Sequence, residues 1–202
     1  MLRFTTAGES HGAALVSILE GMPAGIPLLV EDVDAQLARR QAGYGRGRRM
    51  QIETDRAEIL SGVRAGETLG SPIAMLIRNH DWRNWQEIMS PAPLPDESAD
   101  SRLRKRAVTR PRPGHADLAG MLKYDRADAR DILERASARE TTARVAAGAV
   151  CRTFLKQLDV TIGSHLVELG DVVARRPEHL PADLNTAADS SPLRTLDSDA
   201  ES

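Results

Sequence analysis

The chain has 202 residues, of which 41% are hydrophobic and 28% charged, with a formal net charge of −2. That is enough apolar material for one core, in one domain or in part of a larger one. Aromatics are only 3%, so the core must come from Val, Ile, Leu, Ala and Met. No apolar run approaches a membrane span, and the N-terminus lacks the basic-then-apolar pattern of a signal peptide. The single cysteine, Cys151, excludes an internal disulfide and a Cys-cluster zinc site, which makes a cytoplasmic protein the default expectation.

In chain order, Leu2 to Thr6 predicts a short strand, followed by a polar break at Gly8-Glu9-Ser10-His11-Gly12. Ala13 to Leu19 is apolar enough for a buried strand or a helix turn, and periodicity leaves the choice open. Gly21 to Gly25 closes that unit with turn residues. Asp32 to Gln41 predicts a helix with Val33 and Leu37 on one face and Gly43 just past its end. Ile52 to Val63 and Ile73 to Ile77 have strand character, joined through Gly66 to Gly70. His80 to Asp100, with Trp82, Trp85 and three prolines, reads as a long surface excursion. In the segment Pro111 to Asp117 two prolines stiffen the loop that carries His115.

The plainest helix runs from about Ala138 to Leu158, because Ala143, Ala147, Val150, Phe154 and Leu158 recur at three- and four-residue spacing. Ser137 and Glu140 fit a capping box at its start. Val167 to Val173 could form a strand. Residues 175–202 are rich in Pro, Asp and Ser and read as a poorly structured end, which leaves 1–174 as the N-terminal part of one domain. No internal repeat is present.

Charge is unevenly placed. Arg39, Arg40, Arg46, Arg48 and Arg49 form one basic cluster without an acid, and Arg102 to Arg112 forms a second. On a slightly acidic chain these suggest a local anionic ligand, or solvated surface arginines. A nucleic-acid module using both clusters is a further alternative, but few aromatics argue against stacked single strands and the acidic balance argues against a duplex-wide footprint. The helix start near Ser137, flanked by Arg135 and Arg139, offers a phosphate seat or an ordinary cap. His11 and His115 sit in glycine-flanked loops, and histidine is the usual proton carrier near neutral pH. A metal reading of His115 and Asp117 with His80 and Asp81 rests on unspecific spacing.

Four segments, taken together and in order, resemble chorismate synthase: G-E-S-H-G-A-A-L-V-S-I-L-E-G-M-P from Gly8, R-R-Q-A-G-Y-G-R-G-R-R-M from Arg39, T-R-P-R-P-G-H-A-D-L-A-G-M-L-K-Y from Thr109, and E-R-A-S-A-R-E-T-T-A-R-V-A-A-G from Glu134. The resemblance implies an α/β fold, a layered β-α-β sandwich of the chorismate synthase type, incomplete in this chain. It implies a lyase that converts 5-enolpyruvylshikimate 3-phosphate to chorismate and phosphate by anti-1,4-elimination. The cofactor would be reduced FMN, which lends an electron as phosphate leaves, and the enzyme would be a cytoplasmic homotetramer.

By the same resemblance His11 would manage a proton near the flavin and His115 would protonate the leaving phosphate. Arg46, Arg49, Arg112 and Arg139 would bind substrate anions, and Arg135, Ala136 and Ser137 would contact FMN. NADP is a competing use of the anion site at Arg40 and Arg46, with NADPH as a source of electrons for the flavin. No metal, membrane or nucleic-acid partner is implied. Family members are longer and carry further flavin loops and an aspartate signature that no segment here matches, so the expectation is a chain inactive alone. A non-catalytic remnant or an anion-binding module is the alternative.

Overall fold

The computed structural model describes residues 1–45, 54–93, 106–136 and 138–201. The N-terminal part is built on strands β1 (Arg3–Ala7), β2 (Ala14–Glu20) and β3 (Ala24–Pro27), helix α1 (Val30–Gln41), and strands β4 (Ala57–Ile59), β5 (Val63–Arg64), β6 (Glu67–Leu69) and β7 (Ile73–Arg78). Helices α2 (Asp117–Tyr124), α3 (Arg130–Leu133) and α4 (Thr141–Lys156) follow, then the short strands β8 (Glu168–Leu169) and β9 (Val172–Val173) and helix α5 (Leu184–Asp189).

Strands β1, β2, β7 and β4 form an antiparallel sheet in that order. Alternation decides what periodicity left open in Ala13 to Leu19. Leu15, Ser17 and Leu19 are buried while Ile18 and Glu20 are exposed, the two-residue period of a strand with one covered face. Ile73, Met75 and Ile77 of β7 bury the same face. Helix α4 lies on it, packing against β2 and α1, and its Ala143, Ala146, Ala149 and Val150 complete one core with Leu15, Leu19, Val33 and Leu37. The result is a mixed α/β fold with small sheets. Among the described residues no helix is long and apolar enough to cross a membrane.

Several expectations change. The expected strand from Ile52 to Val63 is two short strands, β4 and β5, with Leu60–Gly62 between them, and residues 51–53 lie outside the description. The expected connection Gly66–Gly70 contains β6, which pairs with β3 and β5, and its Thr68 is buried and donates to the Pro23 carbonyl at 2.6 Å. The excursion after His80 holds a 3-10 turn, Trp82–Asn84. Val167–Val173 is a hairpin rather than one strand.

Helix α2 was not expected. Its Gly120 is a poor helix former, but a Cβ there would lie 2.4 Å from Ile132 Cγ2 of α3, so the glycine is what lets the two helices touch. Helix α4 proper begins at Thr141 after a 3-10 turn, Ala138–Glu140. The Glu140 carboxylate accepts from Thr6, Arg135 and Arg144; Ser137 of the expected capping box lies outside the described residues. At the other end Val160 N–H donates to Leu155 O and Asp159 N–H to Lys156 O, with Asp159 left-handed at φ 56°, a Schellman closure. Leu158 is therefore exposed, not on the core face.

Residues 175–201 carry more order than their composition suggests. Asp183 caps α5 by accepting from Thr186 N–H, and Asp189 of α5 pairs with Arg39 of α1 at 2.6 Å. Thr195 bridges Leu166.

Candidate functional site

His11 sits in the turn between β1 and β2. The turn is closed by Gly8 at φ 92°, where a Cβ would lie 2.2 Å from the Ala14 carbonyl oxygen, so only glycine fits. Two side chains from elsewhere pin the loop. Asn79 donates to the Gly12 carbonyl at 2.7 Å, and Arg135 donates to the carbonyls of Gly8 at 2.5 Å and Thr6 at 3.0 Å. Buried Glu134 then takes hold of His11 itself. One carboxylate oxygen accepts the His11 backbone N–H at 2.8 Å, and the ring Nδ1 lies 2.8 and 2.9 Å from the two oxygens. Arg130 Nη1 reaches the same carboxylate at 3.0 Å.

The other face of the His11 ring is covered by Trp85, with centroids 3.8 Å apart. Trp85 is fixed by its indole N–H on Asp81 at 2.8 Å, and the guanidiniums of Arg106 and Arg130 lie 4.5 and 5.2 Å from its ring. Burial pushes the Glu134 carboxyl up, but His11 and then Arg130 outweigh it and hold it below its ordinary value. The Nδ1 side of His11 is thus committed to a carboxylate, which leaves Nε2 as the nitrogen open to chemistry.

His115 sits just before α2. Asp117, the first residue of that helix, has no solvent exposure. It accepts from Arg112 three times: from the backbone N–H at 3.0 Å, from Nε at 2.8 Å and from Nη2 at 2.9 Å. This bidentate pair, with the backbone bond, holds the Asp117 carboxyl far below the usual range against the cost of burial, and raises the Arg112 guanidinium. His115 Nδ1 joins the pair, 3.2 Å from Asp117 Oδ1 and 3.1 Å from Arg112 Nη2. The side chain of Arg112 remains 43% exposed, so it can meet an anion from outside while anchored from within.

A third cluster surrounds buried Asp55. Arg139 Nη2 donates to Asp55 Oδ1 at 3.2 Å and to the Arg78 carbonyl at 2.9 Å. Arg40 Nη1 lies 3.5 Å from Asp55 Oδ2, Gln41 donates to the same oxygen at 3.3 Å, and Thr142 does so at 3.4 Å. Arg139 is only 6% exposed and Arg40 has 13% of its side chain exposed. These two arginines tie α1, β4 and the start of α4 together through one carboxylate. Arg40 also donates from Nε to Thr141 Oγ1 at 3.2 Å.

Of the remaining expected residues, Arg46, Arg49 and Ser137 lie outside the described residues. Arg135 and Ala136 lead into α4, and their backbone N–H groups are taken by the carbonyls of Ile132 and Leu133. The Arg135 guanidinium is fixed by the carbonyls of Gly8 and Thr6 and lies 3.2 Å from Glu140 Oε1, while over a third of its side chain stays open.

The packing of α2 on α3 links the His115 cluster to the element that leads into Glu134. Glu134, Asp55 and Trp85 were not among the expected functional residues, and Asp117 entered only in the metal reading. Glu134 and Asp117 did stand as acids inside two of the quoted motifs, which was the available signal.

A family profile described as chorismate synthase matches residues 2–202. The chorismate synthase of Symbiobacterium thermophilum is 54% identical over 197 residues, which is 97% of this chain and 50% of that protein. Chorismate synthase 1 of Bacillus thuringiensis is 52% identical over 200 residues, 98% of this chain and 51% of that protein. A crystal structure of chorismate synthase superposes with a TM-score of 0.72 at 42% identity, covering 99% of this chain and 50% of that one. The chain spans about half the length of the curated relatives it matches. On the profile match over residues 2–202, it belongs to the chorismate synthase family.

Proposed function

We propose that this chain contributes the histidine-bearing half of a site that eliminates phosphate from 5-enolpyruvylshikimate 3-phosphate to give chorismate. The observation that carries this reading is that His11 and His115 each stand against a buried carboxylate paired with an arginine, Glu134 with Arg130 and Asp117 with Arg112. Such pairing fixes a ring and keeps its far nitrogen for proton transfer. In the elimination the C–O bond to phosphate breaks with its electron pair leaving on the phosphate. The C6–H pair passes into the ring as the double bond shifts to make a diene, and the C6 proton goes to a base on the flavin side, with no net redox change. His115 gives a proton to the departing phosphate, and Arg112, anchored by Asp117, steadies its charge.

Arg46 and Arg49 serve the remaining substrate anions, while Arg139 acts through Asp55 to shape the start of α4. Arg135, Ala136 and Ser137 would contact FMN, with Arg135 supplying a cation. Reduced flavin, when bound there, would supply transient electron donation as phosphate leaves. His11, aimed by Glu134 and Trp85, holds the proton exchanged on that side. The complete protein is read as a cytoplasmic homotetramer with a β-α-β sandwich fold, in which 1–174 are the N-terminal part of a single domain and 175–202 its margin.

The test is anaerobic turnover of the chain supplied with the half of the Symbiobacterium relative that it does not cover, following phosphate release with reduced FMN. His11→Ala and His115→Ala should each lower turnover by about a hundred- to ten-thousand-fold, the usual loss of a positioned acid or base. Turnover within threefold of the parent in either variant would remove that histidine from the reaction.

A further inference from the structure

Two arginines share one buried acid at the start of α4. Glu140 is 3% exposed, and both of its oxygens are occupied. Oε1 accepts from the Thr6 hydroxyl at 2.6 Å and from Arg135 Nη2 at 3.2 Å, and Oε2 accepts from Arg144 Nε at 2.9 Å. The Thr6 hydroxyl in turn accepts from Arg135 Nη2 at 3.0 Å. Burial pushes the Glu140 carboxyl up, but the Thr6 hydrogen bond and then Arg144 outweigh it and hold it below its ordinary value.

The arginines themselves face outward. The side chain of Arg144 is 55% exposed and that of Arg135 37%. Among the described residues Arg144 spends only its Nε–H, and the hydrogens on Nη1 and Nη2 take no partner. Arg135 is bound through Nη1 and Nη2 to Gly8, Thr6 and Glu140, and its Nε–H takes none. Two positive charges against one negative leave a surplus positive charge at the surface. An ion pair one helical turn apart needs no buried carboxylate, and burying one is costly. What burial adds is placement: two long side chains are set before a ligand arrives. A lone carboxylate ligand is filled by one guanidinium fork, whereas a phosphomonoester has oxygens and charge enough for both arginines.

We propose that Glu140 is a positioning residue that presents Arg135 and Arg144 as one pair for a phosphomonoester. Arg144 grips phosphate oxygens through Nη1 and Nη2, and Arg135 meets the same group through Nε. Charge and placement predict opposite signs for the role of Glu140. Removing a carboxylate beside an anion site strengthens binding if Coulomb attraction is all that matters. It weakens binding if the carboxylate sets where the two cations stand. That the phosphomonoester is the one on FMN rests on the role proposed above for Arg135, but the pairing of the two arginines does not.

The experiment is nitrogen-15 NMR of the chain labelled at arginine, titrated with inorganic phosphate at constant ionic strength. The Nε–H signals of Arg135 and Arg144 are assigned by their loss in Arg135→Gln and Arg144→Gln. In the parent both should move along one titration curve. Arg144→Gln, at an exposed position, should fold as the parent does and weaken the binding read at Arg135 by about tenfold or more, the loss expected of a charge-assisted hydrogen bond. Glu140→Gln should weaken it too. If Glu140→Gln does not fold, Arg144→Lys takes its place: it keeps the charge, loses the Nε bond to Glu140, and should bind as weakly as Arg144→Gln. Separate curves at the two arginines, or signals that phosphate does not move, would overturn the pair. Binding at least as tight as the parent's in Glu140→Gln, or in Arg144→Lys where that variant stands in, would overturn the positioning role. FMN should move both signals and riboflavin neither. Movement by inorganic phosphate but not by FMN would leave the pair standing and remove the flavin from it.

Discussion

The two histidine clusters use the same parts in opposite ways. At His11 the carboxylate comes from 123 residues away, reaches the ring through both oxygens and the backbone through one, and is sealed beneath an aromatic face. At His115 the carboxylate is two residues on, the arginine three residues back, and much of the arginine faces solvent. The first site exists only when β1, β2 and α3 are packed, whereas the second is largely a property of six consecutive residues. One reports tertiary structure, the other local geometry.

The difference predicts how each site fails. Glu134→Ala should be the most damaging single change. It leaves Arg130, 14% exposed, and the His11 N–H and ring without their partner inside the structure. Breaking a buried ion pair from one side costs about 3–5 kcal/mol, which urea unfolding would register as a large fall in the midpoint. A loss under about 1 kcal/mol, the worth of an exposed pair, would mean that Glu134 does not organise the His11 turn. Asp117→Asn should cost less, about 1.5–3 kcal/mol, the range for a hydrogen bond to a charged group, because the half-exposed Arg112 can turn to water.

The same contrast explains what could be read from the sequence. The core face of α1 was legible because Val33 and Leu37 stand one helical turn apart, and both are fully buried. Ser17 between Leu15 and Leu19 looked ambiguous until β1 and β7 flanked it. The β6 residues Glu67–Leu69 were hidden because three residues are too few to display alternation, and Gly66 and Gly70, both left-handed, mark turns at either end. Helix α2 was hidden by Gly120, a residue chosen by its contact with Ile132 and not by propensity. Among site residues, His11 and His115 announced themselves by their loops. Glu134 could be matched to His11 only by a contact that no local pattern encodes, and Asp55 likewise draws together Arg40 and Arg139, which are far apart in the sequence.

Acid should separate the two sites further. Arg112 holds the Asp117 carboxyl far below its ordinary value, and Glu134 and Glu140 are also lowered, though burial opposes the shift in both. Such a group stays ionised in the native state at a pH where the unfolded chain already takes up the proton. Its stabilisation is therefore complete above the unfolded carboxyl values near pH 4 and is lost as pH falls towards the native value. The parent should lose stability progressively below about pH 4. Asp117→Asn, starting from a lower plateau, should lose less over that same interval, and Glu134→Gln should flatten the fall too, since its carboxyl is also held below its ordinary value. Urea midpoints measured from pH 6 to pH 2.5 would test this, and parallel curves for parent and Asp117→Asn would contradict the assignment of acid sensitivity to that pair.

The smallest effect is the control on burial. Arg126 and Asp131 join the end of α2 to α3 through an ion pair of 2.6 Å, shorter than the 2.8 Å between Arg112 Nε and Asp117. If distance set the strength, Arg126→Ala would cost at least as much as losing the Asp117 pair. Both partners are largely exposed, however, at 56% and 42% of their side chains, and water and salt screen them. The expected cost is about 0.5 kcal/mol or less, the usual worth of an exposed pair, and raising the salt concentration should shrink it further. Urea unfolding of Arg126→Ala beside Asp117→Asn, at low and high salt, makes the comparison directly. A cost matching that of Asp117→Asn would show that the α2–α3 junction, and not the burial of Asp117, is what stabilises the His115 loop.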